Sequence, residues 1–407
     1  MQIHRLALKN FKCFKEVDIS FSKITLLTGE NSSGKSSLIY GILVPLQSIN
    51  ANGKSFPLYL SLNGKYGNMG GFDEVLFKHD LNNNVVIDLN ISHNESDIFN
   101  FETQWHFDTT SRSPDLVQLQ IDSSVMPIVK LKQNEKLSYT VSIGENTLEI
   151  NNLRLNNFSQ RVYKSQISFY EYFVGLSEEL TIWLNYQFNF ISSLRLPPER
   201  TYYQSIGNNK VDKFGAGYID QILDWTDRQS EELYELIPIL KDLKILNDIK
   251  PHRIAGGRFE IQVKVKSRSK WESLADVGFG ISQFLPIIVA DLQLFDNSTL
   301  IMSQPEIHLH PSVQADLGNY LVKQVKERNK NYIVETHSEY LLNRIRLLIV
   351  NGEIQPEDVA VYYFENSIKN GSVAHRIEFT KQGQILNAPK GFFETYMIDT
   401  MDIALNA

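Results

Sequence analysis

The stretch Gly29-Glu30-Asn31-Ser32-Ser33-Gly34-Lys35-Ser36 decides the fold predicted for this chain, because it fits the pattern G-x-x-x-x-G-K-[ST]. An apolar run, Ile24-Thr25-Leu26-Leu27, comes directly before it and is typical of a buried strand. Residues 37–43 follow it with the spacing of a helix. Glycines let the backbone N–H groups point inwards, and a helix start adds partial positive charge. The stretch therefore predicts a phosphate-binding loop between a strand and a helix.

Each residue type in this loop has a physical role in holding a polyphosphate. Lys35 would reach the β- and γ-phosphates, and the hydroxyl of Ser36 is a hard oxygen ligand of the kind that Mg²⁺ prefers. We therefore expect a nucleoside triphosphate with Mg²⁺, and Ser36 as the protein's metal ligand. The predicted nucleotide-binding residues here are Gly29, Glu30, Asn31, Ser32, Ser33, Gly34, Lys35, Ser36 and Ser37.

Composition and charge are those of an ordinary globular protein. The chain has 407 residues, of which 42% are hydrophobic and 21% are charged, which is enough for two or three packed units. Its single cysteine, Cys13, excludes an internal disulfide and favours a reducing compartment, so the cytoplasm is expected. We expect no membrane span, since Asp291 interrupts the apolar residues 284–294. The net charge of -7 excludes an all-basic surface but leaves room for a local nucleic-acid groove.

Apolar residues along the rest of the chain show both strand and helix spacing. Strand patterns lie at residues 3–8, 17–21, 85–89, 116–121, 138–143, 147–150, 261–265, 300–304, 332–335, 359–364 and 374–379. Helical spacing covers residues 169–190 and 218–246, and neither tract is long enough for a coiled-coil arm. We therefore predict an α/β fold whose middle region is first β-rich and then helical.

Three segments each have a structural and a functional interpretation. Lys12 is either a solvated lysine or a contact on the adenine side of a nucleotide. The glycine cluster at residues 64–71 is favoured as a turn over a loop that senses nucleotide. The stretch from Leu194 to Tyr203, with Arg195 and Arg200, suits phosphate or base contacts, although a solvated loop or an internal ion pair is favoured.

A second glycine-rich segment lies at residues 274–286, where Gly278 and Gly280 come just before an apolar helix. Such a turn presents free backbone N–H groups at a helix start and is again an anion site. Because the chain has already placed its own triphosphate at residues 29–36, the segment would fit the nucleotide of a second subunit.

Polar residues also end two buried strands. The strand from Leu300 is followed by Gln304-Pro305-Glu306, and the strand from Tyr332 is followed by His337, before a helix that starts near Glu339. Open α/β sheets bind ligands at the carboxyl ends of their strands. These polar residues are therefore expected near the phosphate site.

In this order the four segments resemble the ABC-type ATPases of the SMC, RecF and OLD (overcoming lysogenization defect) group, most closely the compact bacterial members without long coiled coils. The resemblance covers residues 1–45 and 270–345, and the segment between is matched only loosely. It implies an α/β P-loop NTPase, an ABC-ATPase head with a mixed α/β insertion. The two parts of the head would be residues 1–95 and 269–407, and the insertion would be residues 96–268.

The resemblance also implies roles for single residues. Residues 29–36 correspond to the Walker A loop, the strand from Leu300 to Gln304 to Walker B, and His337 to the switch histidine near the γ-phosphate. In that group two heads hold two ATP molecules, each bound by the Walker A loop of one subunit and the signature motif of the other. ATP, Mg²⁺ and a homodimer are thus implied, and Gly280→Asp is expected to block dimerisation. The divergent signature motif would contact nucleotide through Gly278, Gly280, Ser282 and Gln283.

One departure from the group affects catalysis. The Walker B strand there ends in an acid that helps to hold magnesium, followed by a glutamate that orients water, and here those places are Ser303 and Gln304. A hydroxyl lacks the charge of a carboxylate, and an amide does not accept a proton from water. Hydrolysis is expected to be slow, with Gln304, Glu306 and His337 as the candidate catalytic residues, and Glu306 is a candidate to compensate. For His308 and His310, structural or relay roles are favoured over metal ligation.

The expected function combines these features. No TOPRIM-like acidic constellation or H-N-H cluster follows the head, so a nuclease or toxin is expected as a separate effector protein. The favoured function is an ATP-dimerised NTPase that controls a toxic or nucleic-acid-directed effector in bacterial anti-phage defence or DNA repair, with no membrane partner. The alternative is an ATP-bound scaffold or sensor with negligible hydrolysis that assembles a partner protein. A transporter ATPase is disfavoured, because an insertion of this size is atypical of those subunits.

Overall fold

The computed structural model describes residues 1–50, 60–93, 97–110, 112–124, 127–136, 138–151, 167–204, 210–367, 371–389 and 392. The helices are α1 (Lys35–Asn50), α2 (Ile167–Tyr186), α3 (Tyr218–Arg228), α4 (Glu231–Asp242), α5 (Phe279–Leu292), α6 (Pro311–Arg328) and α7 (Glu339–Val350). The strands are β1 (Gln2–Phe11), β2 (Phe14–Ser20), β3 (Ile24–Gly29), β4 (Val85–Ser92), β5 (Ile98–Asp108), β6 (Ser113–Ser123), β7 (Val129–Glu135), β8 (Ser138–Ile143), β9 (Asn146–Ile150), β10 (Phe188–Ile191), β11 (Tyr202–Tyr203), β12 (Asp248–Ile254), β13 (Arg258–Lys264), β14 (Glu272–Ser273), β15 (Thr299–Ser303), β16 (Asn331–Glu335), β17 (Val359–Ser367), β18 (Gly371–Phe379) and β19 (Ile385–Leu386).

The main sheet joins a parallel part to an antiparallel part. Strands β10, β15, β16, β3 and β17 are parallel neighbours in that order. Strand β18 continues the sheet antiparallel to β17 and meets β2 through a single pair, Gly371 with Phe14. From β2 the sheet runs through β1 and β4 to β9 as an antiparallel series. The polar residues that follow β3, β15 and β16 therefore share one edge of the parallel part.

Apolar side chains cover both faces of the parallel strands, as such strands require. Leu27, Ile301 and Ile333 lie in one core cluster with α1. Leu26 and Val334 lie in the second cluster, which contains apolar residues of α3 to α7. The alternation along each strand thus fixes which helix faces which side of the sheet.

The two helical tracts are shorter than the spacing predicts. The first ends at Tyr186, and Phe188–Ile191 forms the edge strand β10 against β15, because a short apolar run suits a buried strand as well as a helix. The second divides into α3 and α4 at Gln229, whose left-handed backbone (φ 50°) ends α3. No helix in the described ranges is both long and apolar enough to cross a membrane.

The β-rich part of the predicted insertion continues the sheet of the head. Strand β4 pairs with β5 over the whole length of β4, for example Ile91 with Phe99, so strands on the two sides of the predicted boundary belong to one sheet. Strands β11 to β14 form a separate small sheet. The three-part division stays a prediction about the order of segments along the chain.

Candidate nucleotide-binding site

Two glycines in left-handed conformations shape the loop between β3 and α1. Gly29 has φ 128° and Gly34 has φ 105°. A Cβ atom on Gly29 would lie 2.2 Å from the carbonyl oxygen of Phe364 on β17, and one on Gly34 would lie 2.8 Å from Sγ of Cys13. Both the backbone angles and the space therefore require glycine.

We expect Gly29→Ala to lower the free energy of unfolding by about 2 kcal/mol or more, because it adds both φ strain and a steric clash with β17. Urea unfolding followed by circular dichroism measures the change. Gly175→Ala on α2 is the matched control, since nothing lies within 4 Å of its Cβ position. Alanine there should leave stability unchanged or raise it by up to about 1 kcal/mol. Equal losses in the two variants would contradict the role given to Gly29.

The side chain of Lys35 lies across the loop. Its Nζ donates to the carbonyl oxygens of Gly29 at 3.0 Å and Glu30 at 2.6 Å. Burial lowers the pKa of Lys35, and the negative charges of Glu335 and Glu30 oppose that shift. Phosphate oxygens entering the loop would replace the two carbonyls as acceptors, which is a stronger, charge-assisted bond.

The remaining loop residues divide into supporting and exposed groups. Ser33 is buried, and its Oγ donates to the carbonyl oxygen of Glu30 at 2.8 Å. The exposed group consists of Glu30, Asn31 and Ser32, and Ser37 is partly exposed in the first turn of α1. The loop therefore keeps its rim open to solvent while its base is bonded internally.

The hydroxyl of Ser36 contacts a carboxylate on the neighbouring strand. Ser36 Oγ donates to Glu335 Oε1 at 2.8 Å. Glu335 is the last residue of β16, is 6% exposed, and is aligned with Ser303 on β15 and with Leu27 on β3. Because β16 lies between β15 and β3, Glu335 is one strand nearer to the loop than Ser303 is. A hydroxyl and a carboxylate are hard oxygen donors of the kind that suit Mg²⁺.

The residue after β15 is held from two sides. Gln304 has a left-handed backbone, with φ 48°. Its N–H donates to the carbonyl oxygen of Glu335 at 2.6 Å, and its carbonyl oxygen accepts from Arg195 Nη2 at 3.2 Å. Arg195 is buried, and burial lowers the pKa of its guanidinium to about 10. The buried guanidinium of Arg195 therefore helps to fix the backbone of Gln304, whose side chain is the predicted catalytic amide.

Glu306 and His337 are connected through the backbone of His337. Glu306 Oε1 accepts from the N–H of His337 at 2.7 Å. Burial raises the pKa of Glu306, while the bond from His337 and the charge of Arg195 act in the opposite direction. Glu306 thus supports the segment that carries the predicted switch histidine.

His337 lies beside the loop between β3 and α1. It lines a pocket of about 250 Å³ together with Thr28, Gly29 and Glu30. Partial desolvation and the positive charge of Lys35 lower the pKa of His337, so its imidazole is neutral at neutral pH. A neutral imidazole can donate one hydrogen bond to a phosphate oxygen in this pocket.

The glycine-rich segment at the start of α5 has an exposed and a buried part. Gly278 is the N-cap of α5, and nothing lies within 4 Å of a Cβ built on it, whereas a Cβ on Gly280 would lie 2.3 Å from the carbonyl oxygen of His308. Phe279 is 48% exposed. The side chains of Ser282 and Gln283 are buried and bond to carbonyl oxygens of Phe279 and Leu196. The nucleotide contacts predicted for this segment stay predictions.

Lys12 lies on the turn between β1 and β2, near the glycine cluster at residues 64–71. Its Nζ is 3.5 Å from the carbonyl oxygen of Met69, and burial lowers its pKa while the charge of Glu74 opposes that shift. Met69 follows the short β-bridge between Asn63 and Asn68, in keeping with the favoured turn. The adenine-side role of Lys12 stays a prediction.

Arg200 and His310 both have partners within the chain. Arg200 pairs with both carboxylate oxygens of Asp276, at 2.6 and 3.0 Å. His310 is the N-cap of α6, where its Nδ1 accepts from the N–H of Ser312 at 3.3 Å. The ring of His308 packs edge-on against Phe279. These residues position neighbouring segments and hold no place at the phosphate pocket.

Sequence reasoning missed the position of Glu335. Its signal is an acidic residue at the end of a largely apolar strand, two residues before His337. The burial of Arg195 was also missed, and its signal is a cation between two leucines, a few residues after the apolar run of β10. Both belong to the phosphate side of the site.

Sequence profiles of known protein families match most of this chain. A sequence profile described as an AAA domain matches residues 5–253, which is more than half of the chain. The chain belongs to this AAA family. A profile described as an AAA ATPase domain matches residues 219–342 of this AAA protein, a range that contains α5 and the strands ending at Ser303 and Glu335. A further profile, described as a protein of unknown function (DUF3696), matches residues 354–403, and no curated protein matches the chain.

Solved structures of SMC heads have a fold similar to that of the AAA protein. One match is an SMC head bound to the C-winged helix domain of ScpA, with a TM-score of 0.50 and 13% identity, covering 94% of this chain and 99% of that one. An SMC head domain from Thermotoga maritima matches with a TM-score of 0.42 and 13% identity, covering 92% and 98%. The predicted α/β P-loop fold and its resemblance to the fold of SMC heads are confirmed.

Proposed function

We propose that this AAA protein binds ATP with Mg²⁺ at residues 29–36 and hydrolyses it slowly. The observation that carries the proposal is the convergence of Lys35, Ser36, Glu335 and His337 on the carboxyl ends of adjacent parallel strands. Parallel α/β sheets bind their ligands at this edge. The match of residues 219–342 to a profile described as an AAA ATPase domain supports the same ligand.

The donor atoms present fit a magnesium ion bound with nucleotide. Ser36 and Glu335 offer two hard oxygens, and Mg²⁺ takes its other ligands from water and phosphates. Bound there, the ion would neutralise negative charge on the phosphates.

The protein's own residues divide the remaining work. Lys35 holds the terminal phosphates, and His337 donates a hydrogen bond to the γ-phosphate from a backbone that Glu306 fixes. Gln304 orients water at the end of β15 but does not take its proton, because an amide is not a base. ATP is therefore bound normally but hydrolysed slowly.

Dimerisation around ATP is the second part of the proposal. Gly278 and Phe279 form an exposed helix start, and the exposed side chains of Leu194 and Leu196 lie beside it, since Gln283 on α5 bonds to the backbone of Leu196. A helix N-terminus attracts phosphate, and apolar neighbours favour contact with another protein surface. A second copy would close each nucleotide site from this surface.

A separate effector is the third part of the proposal. The similar SMC head was solved with a domain of ScpA, and we propose by analogy that the ATP-bound dimer engages a nuclease, a toxin or nucleic acid in bacterial defence or repair. Affinity purification with and without a non-cleavable ATP analogue tests this. Capture of the same effector or nucleic acid in both conditions would contradict control by ATP.

The test of ATPase function is phosphate release as a function of protein concentration. If each site is completed by a second copy, the rate per protomer should rise with concentration and level off when all chains are paired. A single-chain site would give a constant rate per protomer. Phosphate release by a contaminant is excluded by the Lys35→Ala variant, which should show none.

The scaffold alternative is favoured by the two neutral residues Ser303 and Gln304 at the end of β15. A scaffold would bind ATP and dimerise without releasing phosphate over many hours. The same assay therefore separates the two functions, because only the ATPase shows turnover above the rate of the Lys35→Ala variant.

A further inference from the structure

We propose that Glu335 supplies the metal-holding carboxylate that the Walker B strand of this chain lacks. The acid stands at the end of β16 in this chain, one strand away from the end of β15, where the Walker B acid is expected. This inference rests on the proposed binding of ATP and Mg²⁺ and names the residue that holds the ion.

The register of the sheet supports the replacement. Ser303 and Glu335 are direct neighbours at the ends of β15 and β16, so a carboxylate on either strand reaches the same end of the sheet. Neighbouring strands lie about 4.8 Å apart. Because β16 is next to β3, the side chain of Glu335 spans the shorter distance to the loop and already contacts Ser36.

The separation of the two oxygens also fits the ion. Adjacent ligands of an octahedral Mg²⁺ with bonds of 2.0–2.1 Å lie about 2.9 Å apart. Ser36 Oγ and Glu335 Oε1 are 2.8 Å apart. The hydrogen bond between them therefore holds both oxygens at the spacing at which one ion can bind them together.

Other carboxylates near the loop have different positions. Glu30 is exposed on the rim, and its backbone carbonyl accepts from Lys35. Glu306 is committed to the N–H of His337 and lies beside the buried Arg195. Among the described residues, Glu335 is the carboxylate in contact with Ser36.

The test compares ATP affinity with Mg²⁺ and with EDTA, using a fluorescent ATP analogue. In Glu335→Gln, affinity with EDTA should stay the same or rise, since a negative charge beside the phosphates is removed. The gain in affinity from Mg²⁺ should fall about tenfold or more. Glu357→Gln removes the same charge at the opposite end of the parallel sheet and should keep the gain.

A second variant tests the exchange of strands directly. Glu335→Gln with Ser303→Glu restores one carboxylate to the end of β15 and should recover most of the gain from Mg²⁺. The inference is overturned if Glu335→Gln keeps the gain, if it weakens binding equally with and without Mg²⁺, or if the double variant recovers nothing. Failure of the unaltered protein to bind ATP in either condition would instead overturn the proposed function.

Discussion

Lys35→Ala is expected to raise the Kd for Mg·ATP at least about 100-fold, which corresponds to about 2.7 kcal/mol. The ammonium is held at the mouth of the loop by two backbone carbonyls, where it would bind phosphate oxygens through charge-assisted bonds. Alanine has no donor for those oxygens. Calorimetric titration with a non-cleavable analogue measures the loss.

The matched control for this prediction is Lys23→Ala. Lys23 precedes the same strand at its other end and pairs with Asp358 at 3.4 Å on the surface. Loss of that exposed pair should change stability by no more than about 1 kcal/mol and leave ATP affinity unchanged. ATP affinity that is the same in Lys35→Ala and in the unaltered protein would remove the central assignment of the loop.

Gly278→Asp is expected to abolish ATP-dependent dimerisation while each protomer still binds ATP. Aspartate is a favourable N-cap, and Gly278 has an ordinary backbone with free space around it, so α5 should form normally. Its carboxylate would then face the phosphates of the partner's nucleotide and repel them. Sedimentation with and without the ATP analogue measures the effect.

The uncharged control is Gly278→Ser, which also caps the helix and should still dimerise. Gly280→Asp, which the sequence alone suggests, is a poorer test, because any side chain there meets the backbone of His308 and would displace it. If Gly278→Asp dimerises with ATP as the unaltered protein does, α5 does not contribute to the partner's site.

The phosphate-binding loop could be predicted from sequence because its chemistry is local. The two glycines, Lys35 and Ser36 lie within eight residues, and the strand and helix on either side have clear periodicity. The strands that end at Ser303 and Glu335 could be predicted for the same reason. Both strands are buried along their whole length, as their apolar runs indicate.

The contact between Ser36 and Glu335 could not be predicted, because it joins residues 299 positions apart in the chain. The contact depends on β16 lying between β15 and β3, and the order of strands in a sheet cannot be derived from local periodicity. The left-handed turn at Gln304 has the same origin, since Arg195 and Glu335 hold it from two different segments. Local patterns therefore predicted the parts of the site and left their assembly open.

The predicted ends of helices were wrong where the local conformational preference was weak. Phe188 and Phe190 continue a helical apolar pattern, yet they pair with β15 because an open strand edge was available there. The division between α3 and α4 depends on Gln229, a residue with no strong tendency to end a helix. In both places tertiary contacts outweighed local propensity.

The most direct test of ATP-dependent dimerisation is the sedimentation mass of the unaltered protein with a saturating non-cleavable ATP analogue and Mg²⁺. The mass should rise from 46.8 kDa to twice that value, with one nucleotide bound per chain. A protein that binds the analogue fully but stays at the mass of one chain would contradict the claim that two copies enclose ATP.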